Sequence, residues 1–232
     1  MLIGILQTGQ APEPLRRREG LGDYPDLFMR QLAGRGFAFR VWHVEEMAFP
    51  PSVHDCDGWL ITGSRHGVYE DHAFIPPLET FIRGALAAGV PVVGICFGHQ
   101  IMAQAMGGRV EKWAGGWSVG PHDYDFSGTP VTLNAWHQDQ VITPPEGAEV
   151  VATHPSCPFA ALRYGATGFS VQAHPEFDDA FIHGLIETRG QGVVPDDRIA
   201  AARARAGEAT GGARLWDKIA ALFRDAAPGS AT

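Results

Sequence analysis

The chain has 232 residues, 45% of them hydrophobic and 19% charged, with 26 acidic against 18 basic side chains and a formal net charge of −8. This composition supports a self-folding globular core and excludes disorder, and the negative balance argues against nucleic acid as a partner. No apolar run reaches the roughly 18 residues of a membrane span. Cys56, Cys96 and Cys157 show no C-x-x-C spacing, so neither a disulfide framework nor a zinc cluster is indicated and a reducing cytoplasm is expected.

The N-terminus lacks the basic region and cleavage site of a leader, and Leu2 to Leu6 reads as a first strand. Arg16-Arg17-Arg18 is followed by Glu19 and Asp23 and reads as a solvated loop. A helix is predicted over Asp26 to Arg35, where Leu27, Phe28, Gln31 and Leu32 recur at helical spacing. Strands are predicted over Ala38 to Val44, Gly58 to Ile61 and Pro91 to Ile95, and a second helix over Leu78 to Ala88. Gly34, Gly36 and Gly89 end the two helices.

Alternating strands and helices imply right-handed βαβ units, a mostly parallel sheet covered on both faces, and a site at the carboxyl ends of the strands. Val110 to Gly120, Val131 to Ala135 and Glu149 to Ala152 read as shorter strands, an antiparallel edge or extension of the same sheet. Helical patterns return over Asp179 to Arg189, Asp196 to Ala206 and Ala213 to Asp225. In the last, Trp216, Ile219, Ala220 and Phe223 form one apolar stripe, read as core packing. The tail from Ala226 to Thr232 is expected to fray.

The sharpest local feature is Val92-Val93-Gly94-Ile95-Cys96-Phe97-Gly98-His99-Gln100, an apolar strand running into Gly-x-Cys-x-Gly and then a helix. It reads as a nucleophile elbow in which glycines two residues either side permit a tight strand-to-helix turn. A thiol at a helix N-terminus is favoured as thiolate, the form that attacks. Cys56 and Cys157 lack this setting and read as buried apolar residues. A thiol acting on an amide needs a base and a group that fixes the base's tautomer. In Phe169-Ser170-Val171-Gln172-Ala173-His174-Pro175-Glu176-Phe177, a strand delivers His174, and a proline-stiffened turn places Glu176 within reach of the imidazole. The amide of Phe97 is one expected oxyanion donor, and the strand-to-loop junction Trp59-Leu60-Ile61-Thr62-Gly63-Ser64 supplies the others, Gly63 and Ser64.

Gly94-Ile95-Cys96-Phe97-Gly98-His99-Gln100, Gly107-Gly108 and Gln172-Ala173-His174-Pro175-Glu176-Phe177 together resemble the class I (triad) glutamine amidotransferases, in particular the stand-alone, GMP-synthase-like kind. The resemblance covers roughly residues 1 to 190, leaving 191 to 232 as C-terminal helices packed on the same domain. It implies a doubly wound, flavodoxin-like α/β fold and a Cys96-His174-Glu176 triad. The implied reaction is attack on the side-chain amide of glutamine, giving a γ-glutamyl thioester and ammonia. It also makes Gln100, one helical turn beyond Cys96, a substrate-binding residue. His137 and Asp139, in Trp136-His137-Gln138-Asp139-Gln140-Val141, resemble the family's His-x-Asp loop near the substrate and are by that resemblance candidate substrate-binding residues, with a polar turn as the competing reading.

His99 is expected to point away from the nucleophile. His43, His54, His72 and His122 show no metal-ligand spacing, so no metal is expected, and without a Walker A or dinucleotide glycine pattern no cofactor is. Three functions remain to compare. A glutaminase would pass ammonia to an acceptor; 232 residues leave no room for a fused synthetase, so its expected partner is a synthetase on a separate chain. A γ-glutamyl peptide or amide hydrolase would use the same thioester. A noncatalytic or redox protein on the same scaffold would have no need of a base and its orienting carboxylate.

Overall fold

The computed structural model describes residues 1–208 and 210–226; beyond Ala226 the expected frayed tail lies outside them. The chain opens with β1 (Leu2–Gln7), the short α1 (Glu13–Arg16) and α2 (Tyr24–Gln31), then β2 (Ala38–His43), β3 (Gly58–Ile61), α3 (Ile75–Ala87), β4 (Val92–Ile95) and α4 (Phe97–Ala105). Arg16, Arg17 and Arg18 are solvent-exposed. Seven strands follow: β5 (Arg109–Lys112), β6 (Ser118–Phe126), β7 (Thr129–His137), β8 (Asp139–Thr143), β9 (Glu149–His154), β10 (Cys157–Tyr164) and β11 (Gly168–Val171). The chain returns to helix in α5 (Asp179–Leu185), a π-turn over Ile186–Gly190, α6 (Asp196–Ala204) and α7 (Gly212–Asp225).

Nine strands form one sheet in the order β2-β1-β3-β4-β11-β10-β9-β6-β7, with β5 and β8 pairing separately. The first five are mutually parallel and the last four antiparallel, so the middle of the chain extends the parallel sheet. The region predicted as one strand over Val110 to Gly120 is two, β5 and the start of β6. A turn at Trp113, where the Gly116 amide donates to the Trp113 carbonyl, separates them.

The parallel strands read as continuous apolar runs because both of their faces are covered, and every residue of β3 and β4 is buried. Alternation sends Ile3, Ile5, Leu60, Val93 and Ile95 to one face, against Phe28 of α2 and Trp216, Ile219 and Phe223 of α7. Leu6, Trp59, Ile61 and Val92 face the other way, against Leu78 and Ile82 of α3 and Ile101 and Met102 of α4. The stripe on α7 is core: Trp216 and Phe223 are fully buried, and Trp216 packs on Phe28 with ring centroids 5.3 Å apart.

Two helix starts differ from expectation for the same reason. Pro76 and Pro77 lie in the first turn of α3 and Pro25 in that of α2, where an amide has no intrahelical acceptor and proline costs nothing. In α2 the start is fixed by Asp23 and Asp26, each side chain accepting from the other's end of a capping box.

Candidate active site

Four consecutive parallel strands aim their carboxyl ends at one place, and the β4-to-α4 turn stands in the middle of it. Cys96 adopts φ 54° and ψ −104°, a conformation that L side chains avoid. Its amide donates to Val171 O at 2.9 Å and its carbonyl accepts from the Gln100 amide at 3.0 Å, so strand and helix over-determine the turn. The flanking glycines are sterically required. A Cβ on Gly94 would stand 2.3 Å from Gly98 O, and one on Gly98 would stand 2.5 Å from Ile61 O.

Strain of this kind costs about 1–3 kcal/mol, and glycine would relieve it. Cys96→Gly is therefore expected to be more stable than Cys96→Ala by about 1 kcal/mol or more. Parallel urea denaturation of the two variants checks this; alanine equalling glycine would mean the backbone there is unstrained.

His174 follows β11 and is held from three sides. Its amide donates to Asn134 O at 2.8 Å, its Nδ1 lies 2.7 Å from Glu176 Oε1, and its ring stacks on Phe177 with centroids 3.9 Å apart and planes 5° apart. Phe177 in turn stacks on Phe181 of α5. Asn134 of β7 also donates to Phe177 O at 2.9 Å, so one side chain and one carbonyl clamp both ends of the His174–Phe177 turn.

The other side of the imidazole makes a hydrogen bond with the Cys96 side chain. Burial opposes the imidazolium, but the negative charges of Glu176 and Cys96 outweigh it and hold its pKa up, at about 10. Glu176 Oε2 is buried without a hydrogen-bond partner, an arrangement that a carboxylate tolerates only beside a compensating cation.

Gly63 sits against both of these residues: a Cβ there would lie 3.2 Å from His174 Cε1 and 3.8 Å from Cys96 Cβ. The Gly63 carbonyl accepts from the hydroxyls of Thr8 at 3.2 Å and Thr62 at 3.0 Å, and the Thr8 amide donates to Thr62 Oγ1 at 3.0 Å. Ser64 lies on the wall of the cleft that Cys96 opens into. Phe97 is the first residue of α4, where no intrahelical carbonyl takes its amide.

Gln100 is buried beside Cys96 and donates both amide protons internally, to Asp139 O at 2.8 Å and Gln172 Oε1 at 3.1 Å. Only its Oε1 is left to offer a ligand. Gln172, whose Nε2 lies 3.8 Å from Cys96 Sγ, opens the motif that carries the family resemblance but has no site role in the sequence reading, although two-residue alternation after β11 puts it on the face of His174.

His137 and Asp139 both line the cleft, and the polar turn considered for this stretch is instead the junction of β7 with β8. Burial, reinforced by the His174 charge, pushes the His137 pKa down to about 3. Burial raises the Asp139 carboxyl above its ordinary value, against a hydrogen bond from Tyr69. His99 faces away, its Nδ1 2.7 Å from Ser170 Oγ, and burial lowers its pKa to about 3.

His99 and His137 give the fold an acid limit. Both stay neutral when folded but take up a proton near pH 6.5 when unfolded. Their contribution is fully present above about 6.5 and is lost as pH falls towards 3. Melting temperature should fall from pH 7 to pH 5, above the main carboxylate range, and fall less steeply in His99→Gln. An unchanged slope would show that His99 does not resist protonation.

The cleft has a volume of about 480 Å³. Cys96, His174 and Gln100 lie in it, Tyr24, Trp117 and Trp136 form an aromatic wall, and Arg189 lines it while bonding Gln10 O at 2.9 Å. Chemically it offers a thiol, a base oriented by a carboxylate, and backbone amides at a helix start, the parts needed for acyl transfer.

The profile for "Glutamine amidotransferase class-I" matches residues 23–180, a span that includes the β4 turn and the His174–Phe177 segment. A glutamine amidotransferase-like protein of Schizosaccharomyces pombe is 28% identical over 76% of this chain and 81% of its own length. Gamma-glutamyl peptidase 4 of Arabidopsis thaliana is 24% identical over 91% of each. GMP synthase of Pyrobaculum aerophilum is 32% identical over 67% of this chain, which spans 31% of that enzyme. The solved glutamine amidotransferase of Methylobacillus flagellatus superimposes with a TM-score of 0.75 at 21% identity, covering 97% of this chain and 95% of the other. With the fold matched and the family's span enclosing the elbow, the chain belongs to the class-I glutamine amidotransferases.

Proposed function

We propose that the chain hydrolyses the side-chain amide of glutamine through a γ-glutamyl thioester on Cys96. The observation that carries this reading is the buried His174 Nδ1 to Glu176 Oε1 contact of 2.7 Å beside a strained Cys96 that opens into a cleft. The Cys96 thiolate attacks the γ-carboxamide carbon, and the carbonyl oxygen becomes an oxyanion. His174, protonated at Nε2, gives its proton to the departing nitrogen, and ammonia leaves as the thioester forms. Water then attacks the thioester carbon while His174 takes its proton, and glutamate departs with regeneration of the thiolate.

The oxyanion is received by the Phe97 amide and by Gly63-Ser64. Because a trans peptide sets N–H opposite C=O, the two threonine hydroxyls that hold the Gly63 carbonyl point the Ser64 N–H away from themselves, which supports its assignment as a donor. Gln100, through its free Oε1, and Asp139 supply acceptors for the substrate's ammonium group, and neutral His137 forms part of the wall.

γ-Glutamyl peptides are the second reading. Two observations favour it: the cleft, about 480 Å³ and lined by Tyr24, Trp117 and Trp136, has more room and apolar surface than the small side chain of glutamine needs, and the similarity to gamma-glutamyl peptidase 4 runs almost end to end. In the first reading, ammonia goes to a synthetase on a separate chain, as the similarity to GMP synthase supports. Glutamate release from L-glutamine and from a γ-glutamyl dipeptide, each beside Cys96→Ala, separates the readings. Faster turnover of the dipeptide selects the second, and no Cys96-dependent release from either overturns both.

A further inference from the structure

We propose that His66, Glu70 and His72, on the loop between β3 and α3, form a binding site for a divalent transition metal of the zinc type. Their ligand atoms all lie within 4.8 Å of one another. Glu70 Oε2 is 3.7 Å from His66 Nδ1 and 2.8 Å from His72 Nε2, and the two rings are 4.0 Å apart. Donors on a tetrahedral zinc, each at about 2.0–2.1 Å, stand about 3.4 Å apart. The observed separations bracket that value, and movement of the exposed Glu70 side chain closes the difference.

The tautomer of His66 supports the site independently. Its Nε2 lies 3.0 Å from Glu45 Oε1, on the turn after β2, so the ring proton belongs on Nε2. That leaves Nδ1 as the nitrogen offered to a cation, 3.7 Å from Glu70 Oε2 and on the same side as His72. A carboxylate behind a histidine that offers its other nitrogen is the usual outer support of a zinc ligand. Phe74 backs both rings, with centroids 6.1 Å and 5.8 Å away.

Two imidazoles and one carboxylate suit zinc better than magnesium, which demands oxygen ligands. This departs from the expectation of no metal, because His66-x-x-x-Glu70-x-His72 becomes a cluster only through the turns of its loop. His66 and Glu70 also line the cleft, and the loop begins at Gly63-Ser64, so a bound ion anchors the segment that carries these residues. The site stands apart from the glutaminase reading and is tested without activity.

Zinc alone is titrated calorimetrically into the full chain carrying Cys96→Ala, which removes the cleft's sulfur as a competing ligand. The expected result is one equivalent bound, no binding of magnesium, and a higher melting temperature with zinc. Adding Glu45→Gln should weaken zinc about tenfold or more, and adding His72→Ala or Glu70→Gln should weaken it further and abolish the thermal shift. Absence of zinc binding, or binding unchanged by both His72→Ala and Glu70→Gln, overturns the proposal.

Discussion

Replacing Cys96 with alanine should lower kcat for γ-glutamyl amide hydrolysis by about 10⁴–10⁶-fold while leaving the fold intact, the range found when a covalent nucleophile is removed. Neither of the other cysteines can take over. Cys56 and Cys157 are buried, and burial pushes their thiols up to about 11 and about 12, which keeps them protonated and unreactive. Cys96 alone stands at a helix N-terminus, hydrogen-bonds His174 and opens into the cleft. Steady-state glutamate release measures the loss. A variant within about tenfold of wild type would require a nucleophile other than the thiol.

Glu176→Gln is the second large effect, with kcat expected to fall about 10²–10⁴-fold and KM to change little. Glutamine retains an oxygen that can accept from His174 Nδ1, so the imidazole need not turn. What disappears is the negative charge. That charge is the first of the influences holding the His174 pKa up against burial, so without it the imidazolium, the proposed proton donor to the leaving nitrogen, becomes much less favourable. The variant also loses a buried ion pair, so its melting temperature must be recorded beside its kinetics. A kcat close to wild type, in a folded variant, would reduce Glu176 to a packing residue.

The elbow was legible because its constraint is local. Gly94 and Gly98 are dictated by contacts of one turn with itself and with Ile61, so the residue types betray the turn without knowledge of the rest of the fold. The parallel strands were legible because burial on both faces writes unbroken apolar runs such as Val92 to Ile95. The antiparallel extension was less so. In β10, Pro158, Ala160 and Ala161 give a weak strand signal, and only its pairing with β9 and β11 makes it one.

Residues whose role depends on distant partners could not be read. Asn134 clamps the His174–Phe177 turn from β7, and Thr8 reaches Gly63 from the loop after β1. Both are ordinary polar residues in sequence. Their significance comes from the sheet order, which brings β1 beside β3 and sets Asn134 opposite His174. Asp139 was legible through its resemblance to the family's His-x-Asp loop; its place at the start of β8, with Gln100 bonded to its carbonyl, follows from tertiary pairing.

The central claim is a covalent thioester, and the most direct measurement is mass spectrometry of the chain quenched in acid during turnover of L-glutamine or a γ-glutamyl dipeptide. The account predicts an added γ-glutamyl group on the peptide containing Cys96, absent in Cys96→Ala and accumulating when deacylation is slowed. Turnover of either substrate with the group found elsewhere, or with no adduct under conditions that trap acyl-enzymes, would contradict it.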